Sequence, residues 1–123
     1  MRNSLLLAAL LVATLAPAAA EESGYYKLTP DVAASAWVDS GGILHAEMVS
    51  NMPESDIVGA PRSIAAKIEG SCSLREYVIT GTALFSGRWR GGYLMEQYES
   101  DGLRRRALPR TNIAALFNKE CPK

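Results

Sequence analysis

Histidine occurs once in the 123 residues and cysteine twice, aromatic side chains make up 7%, and the formal charge is zero. Each scarcity closes off a class of function. Two cysteines and a lone His45 give no metal-ligand spacing, so no metal or cofactor is expected. Thirteen basic against thirteen acidic side chains leave no overall field to attract nucleic acid. No Gly-x-Ser-x-Gly context is present, and His45 would have to pair with Ser40, Ser50 or Ser86 to build a Ser-His-Asp site. Gly87-Arg88-Trp89-Arg90-Gly91-Gly92 lacks the Lys-Ser/Thr and the strand-to-helix setting of a phosphate-cradling loop. Glu96, Glu99 and Asp101 lie close in sequence, but they read as a solvated turn rather than a paired-carboxylate glycosidase site. The expectation is a protein that is not an enzyme.

Long apolar runs are also missing, with one exception at the start. Arg2 gives a short positive region, Leu5 to Leu15 is apolar, and Ala18-Ala19-Ala20 has the small-x-small pattern of a cleavage site. The run is too short for a comfortable transmembrane helix. Residues 1–20 are therefore expected to be a cleaved signal peptide, and 21–123 a single domain of about 100 residues. No cysteine directly follows the apolar run, so lipid anchoring at a processed N-terminal cysteine is not expected. A bacterial periplasm or cell surface, or secretion, is the expected destination. In such an oxidising compartment Cys72 and Cys121 are expected to pair.

Turn chemistry then divides the chain. Gly24 to Leu28 reads as a strand, Thr29-Pro30-Asp31 as a turn, and Ala34 to Val38 as a short strand. Asp39-Ser40-Gly41-Gly42 leads into a strand from Ile43 to Ser50, which predicts a hairpin. In that strand Leu44, Ala46 and Met48 share one face. Asn51 to Arg62 reads as a surface loop. Ser63 to Gly70 alternates, with Ile64, Ala66 and Ile68 expected inward and Ala65, Lys67 and Glu69 outward. Glu76 to Leu84 is rich in β-branched and aromatic residues and reads as a strand. Tyr93 to Tyr98 and Leu103 to Leu108 are expected to pair as a second hairpin across Glu99-Ser100-Asp101-Gly102.

The last stretch reads as a helix. Thr111 can cap it, and Ile113, Leu116, Phe117, Glu120 and Cys121 fall on one face. Cys121 points where the apolar residues point, so a bond to Cys72 would tie the buried side of the helix to the sheet. The predicted class is α+β: a single antiparallel sheet of about six strands with a C-terminal helix packed on one face and linked by the disulfide.

The spaced pattern of the last 60 or so residues resembles the surface-adhesin protein E family. It comprises the strand Ser63 to Glu69 leading to Cys72, a polar-aromatic strand, Ser86-Gly87 and Gly91-Gly92, two further strands, and Pro109-Arg110-Thr111 opening a helix that ends near Cys121. Earlier residues match loosely, through Trp37-Val38-Asp39 and the hairpin after it. The resemblance implies an antiparallel sheet with a disulfide-linked C-terminal helix. It also implies binding, since the family's named member is a surface lipoprotein that binds host proteins and self-associates. This chain departs from that member in lacking the lipidation cysteine.

The candidate partner-binding residues are Arg88, Trp89, Arg90, Arg104, Arg105 and Arg106, read as one basic hairpin facing an acidic protein, an anionic glycan or a lipid surface. A homodimer through an uncovered sheet edge is a further expectation. The alternative is an inhibitor of lysozyme-like enzymes or proteases that inserts a loop, either Asn51 to Pro61 or Ser86 to Gly92.

Overall fold

The computed structural model describes residues 24–122, so the expected signal peptide lies outside the described residues. Six strands follow one another in space as they do in sequence: β1 (Tyr26–Thr29), β2 (Val32–Val38), β3 (Ile43–Asn51), β4 (Ser63–Ser71), β5 (Glu76–Phe85) and β6 (Leu94–Glu99). All neighbours are antiparallel. A two-residue strand β7 (Arg105–Arg106) and one helix α1 (Asn112–Glu120) complete the chain.

The first hairpin forms where the turn residues placed it. The Asp39 carboxylate accepts from the N–H groups of Gly41 at 2.9 Å and Ile43 at 3.0 Å, and Gly42 takes φ +80°. Hydrogen bonding from His45, then from the Ile43 N–H, holds the Asp39 carboxyl below the usual carboxylate range. The register pairs Val38 with Leu44 and Ala34 with Met48, which brings the apolar alternation of both strands onto one face.

That face carries α1. Thr111 caps the helix, its hydroxyl accepting from the Ala114 N–H at 3.1 Å. Ile113, Ala114, Leu116 and Phe117 are buried, and Ile113, Leu116 and Phe117 pack with Ala34, Leu44, Ile68, Ala107 and Cys121 into one core. Cys121 is bonded to Cys72, in the turn between β4 and β5. Glu120, the acid on the otherwise apolar helical face, has a specific partner: the Tyr26 hydroxyl donates to it at 2.6 Å. Burial, then that carboxylate, pushes the Tyr26 phenol above its ordinary range. Lys119 sits over the same ring at 4.7 Å, so β1 is clasped by two helix side chains.

Two expectations need correction. Leu103 to Leu108 does not pair with β6. Instead β6 and β7 lie end to end along the same edge of β5, with β6 on Gly81–Phe85 and β7 on Glu76 and Tyr77. β5 is ten residues long, enough for two partners in series. In β4, Ile68 is buried as expected, but Ser63 and Ala65 on the opposite face are buried too, while Ile64 and Ala66 are only partly covered. The reason is that the segment after β5 folds back over the far face of the sheet.

Candidate functional site

That folded-back segment is the Gly-rich stretch around Trp89. Arg88–Arg90 forms a single 3-10 turn that packs on β3, β4 and β5. Trp89 and Arg90 both take positive φ, 54° and 62°, which costs a non-glycine residue about 1 kcal/mol or more. Hydrogen bonds offset that strain. The Trp89 N–H donates to Asn51 Oδ1 at 2.8 Å, and the Arg90 N–H donates to Ser63 Oγ at 3.0 Å. Ser63 in turn donates to the Gly87 carbonyl at 2.6 Å, and the Gly91 N–H closes the turn on the Arg88 carbonyl. Ser63 is fully buried and polar, and the turn uses it both as donor and as acceptor. Ion pairs from Arg88 to Asp31 and from Arg90 to Glu47, at 2.9 and 3.1 Å, fix its two ends. Lys27 reaches over the Trp89 ring at 5.3 Å.

A stability prediction follows. Ser63→Ala leaves a partly buried N–H and a partly buried carbonyl without their partner, a loss of about 1–3 kcal/mol. Hydrogen exchange should show the amides of Trp89 and Arg90 losing protection first. Unchanged protection at these two sites would mean that the turn is held by the ion pairs instead.

The six arginine-centred candidates are therefore not one hairpin. Arg88, Trp89 and Arg90 are bound into the sheet. Arg105 is paired with Asp101 at 2.8 Å, and this pair, with the Leu103 N–H, holds the Asp101 carboxyl below the usual range. Arg104 is 71% exposed at its side chain and only 3.7 Å from Glu76. Arg106 and Arg110 are exposed and form no ion pair with another described residue. Leu103 and Leu108 stand exposed between them. The two arginine groups are separated along the β5 edge, because β6 and β7 bind its opposite ends.

His45 has no serine at its ring nitrogens. Nε2 lies 2.9 Å from Asp39 and Nδ1 3.6 Å from Glu69. Glu96 accepts from the Tyr98 hydroxyl, and Glu96 and Glu99 point to opposite faces of β6, so no facing carboxylate pair forms there. Of the two loops weighed for an inhibitor, Ser86 to Gly92 is pinned to the sheet. The other, Asn51 to Pro61, projects Ile57 and Val58 into solvent. No helix among the described residues is long and apolar enough to cross a membrane.

Neither a family model nor a curated protein sequence matches the chain. Solved structures do. The selenomethionine form of Haemophilus influenzae protein E superposes with a TM-score of 0.64 at 18% identity, covering 79% of this chain and 84% of that one. A second H. influenzae protein E structure gives 0.62 at 18%, over 79% and 83%. Protein E from a non-typeable strain gives 0.56 at 18%, over 78% and 74%. The fold is that of protein E. The likeness extends beyond the C-terminal pattern that carried the resemblance in sequence, since four-fifths of the chain is matched. It does not favour the inhibitor reading. Proximity of Ser63 and Asn51 to the 3-10 turn had no local signal in the sequence, because both partners lie more than 20 residues away.

Proposed function

We propose that the chain is an exported, non-enzymatic interaction domain of the protein E fold, cleaved after Ala20, that meets a negatively charged partner through Arg104, Arg106 and Arg110. The protein E fold and the Cys72–Cys121 disulfide support an adhesin-like binding role outside the reducing cytoplasm. The observation that carries the binding face is the contrast among the arginines. Arg88, Arg90 and Arg105 have close carboxylate partners, whereas Arg106 and Arg110 have none among the described residues and Arg104 has only a long contact. Cations left unpaired beside exposed Leu103 and Leu108 can gain charge-assisted hydrogen bonds and apolar contact at once from an acidic protein, an anionic glycan or an anionic lipid surface. Trp89 belongs to the pinned 3-10 turn and is not part of this face.

The test is crosslinking of the oxidised chain from Glu21 in a cell-envelope extract, read by mass spectrometry. The triple variant Arg104→Glu, Arg106→Glu, Arg110→Glu should lose the specific adduct about tenfold or more, while Arg88→Ala keeps it. Equal adduct yields from the wild type and the triple variant would sink this face.

A further inference from the structure

The sheet has a second surface, turned away from α1, which the 3-10 turn covers at one end only. We infer that the uncovered remainder binds a neutral saccharide, with Trp37 as the platform on which a sugar ring stacks. Trp37 is 59% exposed, three positions after the buried Ala34 of β2 and directly opposite His45 of β3. Its ring is held in place from behind: it stacks on His45 with centroids 4.4 Å apart and planes 16° apart. His45 is itself gripped by Asp39 at 2.9 Å and faced by Glu69 at 3.6 Å. One face of the indole is thus fixed against a clamped imidazole, and the ring is presented rather than left loose.

The surface beside this platform is concave. A trough of about 350 Å³ is lined by Tyr25, Ser35, Trp37, Glu47, Lys67 and Thr80. A second trough of about 380 Å³ continues it through Glu47, Lys67 and Thr80 towards Gln97 and Leu94. Each is within the range of roughly 300–1,000 Å³ typical of small-ligand sites.

The lining decides what fits. Glu47 is paired with Arg90, and His45 with Asp39, leaving Lys67 and Glu69 to balance each other in sign. A polyanion finds no unopposed positive charge here. A protein anchor would need an apolar, fully desolvated pocket, and the ring around Trp37 is charged or hydroxylated instead. A pyranose matches both halves. Its C–H face carries weak positive charge and suits the negative π-face of the indole, while its hydroxyls suit hydrogen bonds with the carboxylates, the ammonium and the Ser35 and Thr80 hydroxyls that line the trough. This site is independent of the Arg104–Arg110 face.

The experiment is an NMR titration of the oxidised chain with two neutral oligosaccharides, chitotetraose and cellotetraose, and with an acidic peptide and a sulfated polysaccharide as contrasts. At least one neutral glycan should give saturable shifts at the Trp37 indole N–H and at the amides of Ser35, Lys67 and Thr80, with a dissociation constant of about 1 mM or tighter. Trp37→Ala should weaken it about tenfold or more, Trp37→Phe should retain part of it, and Arg106→Glu should leave it unchanged. Because Trp37 is exposed, its removal opens no core, and an unchanged melting temperature confirms that the variant is folded. Absence of saturable shifts with both neutral glycans overturns the assignment. So does binding that Trp37→Ala leaves intact, or saturation of the trough by the peptide or polysaccharide alone.

Discussion

Removal of the Cys72–Cys121 bond is expected to lower the stability of the domain by about 4 kcal/mol. The two cysteines are 49 positions apart, and cross-linking a loop of that size restricts the unfolded chain by about this amount in the chain-entropy model. A domain of this length has a total stability of only about 5–15 kcal/mol, so the loss is a large fraction of it. Urea unfolding of the oxidised protein, of the same protein reduced with dithiothreitol, and of the double variant Cys72→Ala, Cys121→Ala measures the effect. Alanine is the better replacement, because Cys121 is buried in the core and a serine hydroxyl there would add its own desolvation cost. The midpoint should fall by roughly 1–3 M urea in both reduced and variant forms. A difference below about 1 kcal/mol would mean that the helix docks through its apolar face alone, and that the bond contributes little beyond it.

Phe117→Ala is expected to cost about 3–5 kcal/mol, comparable to the loss of the disulfide. Phe117 is fully buried, its ring lying against Gly70 of β4 and Tyr77 of β5. Its ring lies against the Tyr77 ring, with centroids 6.4 Å apart, and the Arg75 guanidinium covers it at 5.4 Å. The contact is made possible by a missing side chain in the sheet. A Cβ added at Gly70 would lie 2.7 Å from Phe117 Cζ and 3.0 Å from the Glu76 carbonyl oxygen. Gly70→Ala should therefore destabilise by about 1–3 kcal/mol through overpacking. In a Phe117→Leu background the shorter side chain relieves much of that clash, so the two substitutions should be non-additive by about 1 kcal/mol. Equilibrium unfolding of the four proteins in the cycle gives the coupling. Strict additivity would show that the Glu76 carbonyl, rather than the phenyl ring, sets the limit at Gly70.

The parts of the fold that could be read from sequence are those whose signals are local. The helix declares itself through the 3.6-residue spacing of Ile113, Leu116 and Phe117 and through the Thr111 cap, and both appear as read. The β2–β3 hairpin is written in Asp39-Ser40-Gly41-Gly42. The parts that escaped depend on distant partners. Glu99 to Gly102 carries turn residues, yet the segment beyond it joins β5 instead of β6, because Glu76 and Tyr77 offer an unoccupied length of edge. Gly87, Gly91 and Gly92 stand out in sequence as part of the spaced pattern, but what they permit is a turn held by Asn51 and Ser63. The arginines could be counted in sequence. Which of them find carboxylates could not, because Asp31 and Glu47 lie about 40 or more residues before the arginines they hold. Trp37 was legible as an aromatic in a short strand and as part of the loose Trp37-Val38-Asp39 match; its stacking on His45 requires the register of β2 on β3.

The position of the disulfide has a consequence for resistance to proteolysis. β5, the 3-10 turn, β6, β7 and α1 all lie within the covalent loop from Cys72 to Cys121. The stretch from Ser100 to Arg104 is exposed and includes a basic residue that trypsin-like proteases recognise. A cut there produces two polypeptides that remain one molecule, joined through sulfur and still paired across the sheet and the core. This exposed basic segment is thus placed where a cut releases nothing.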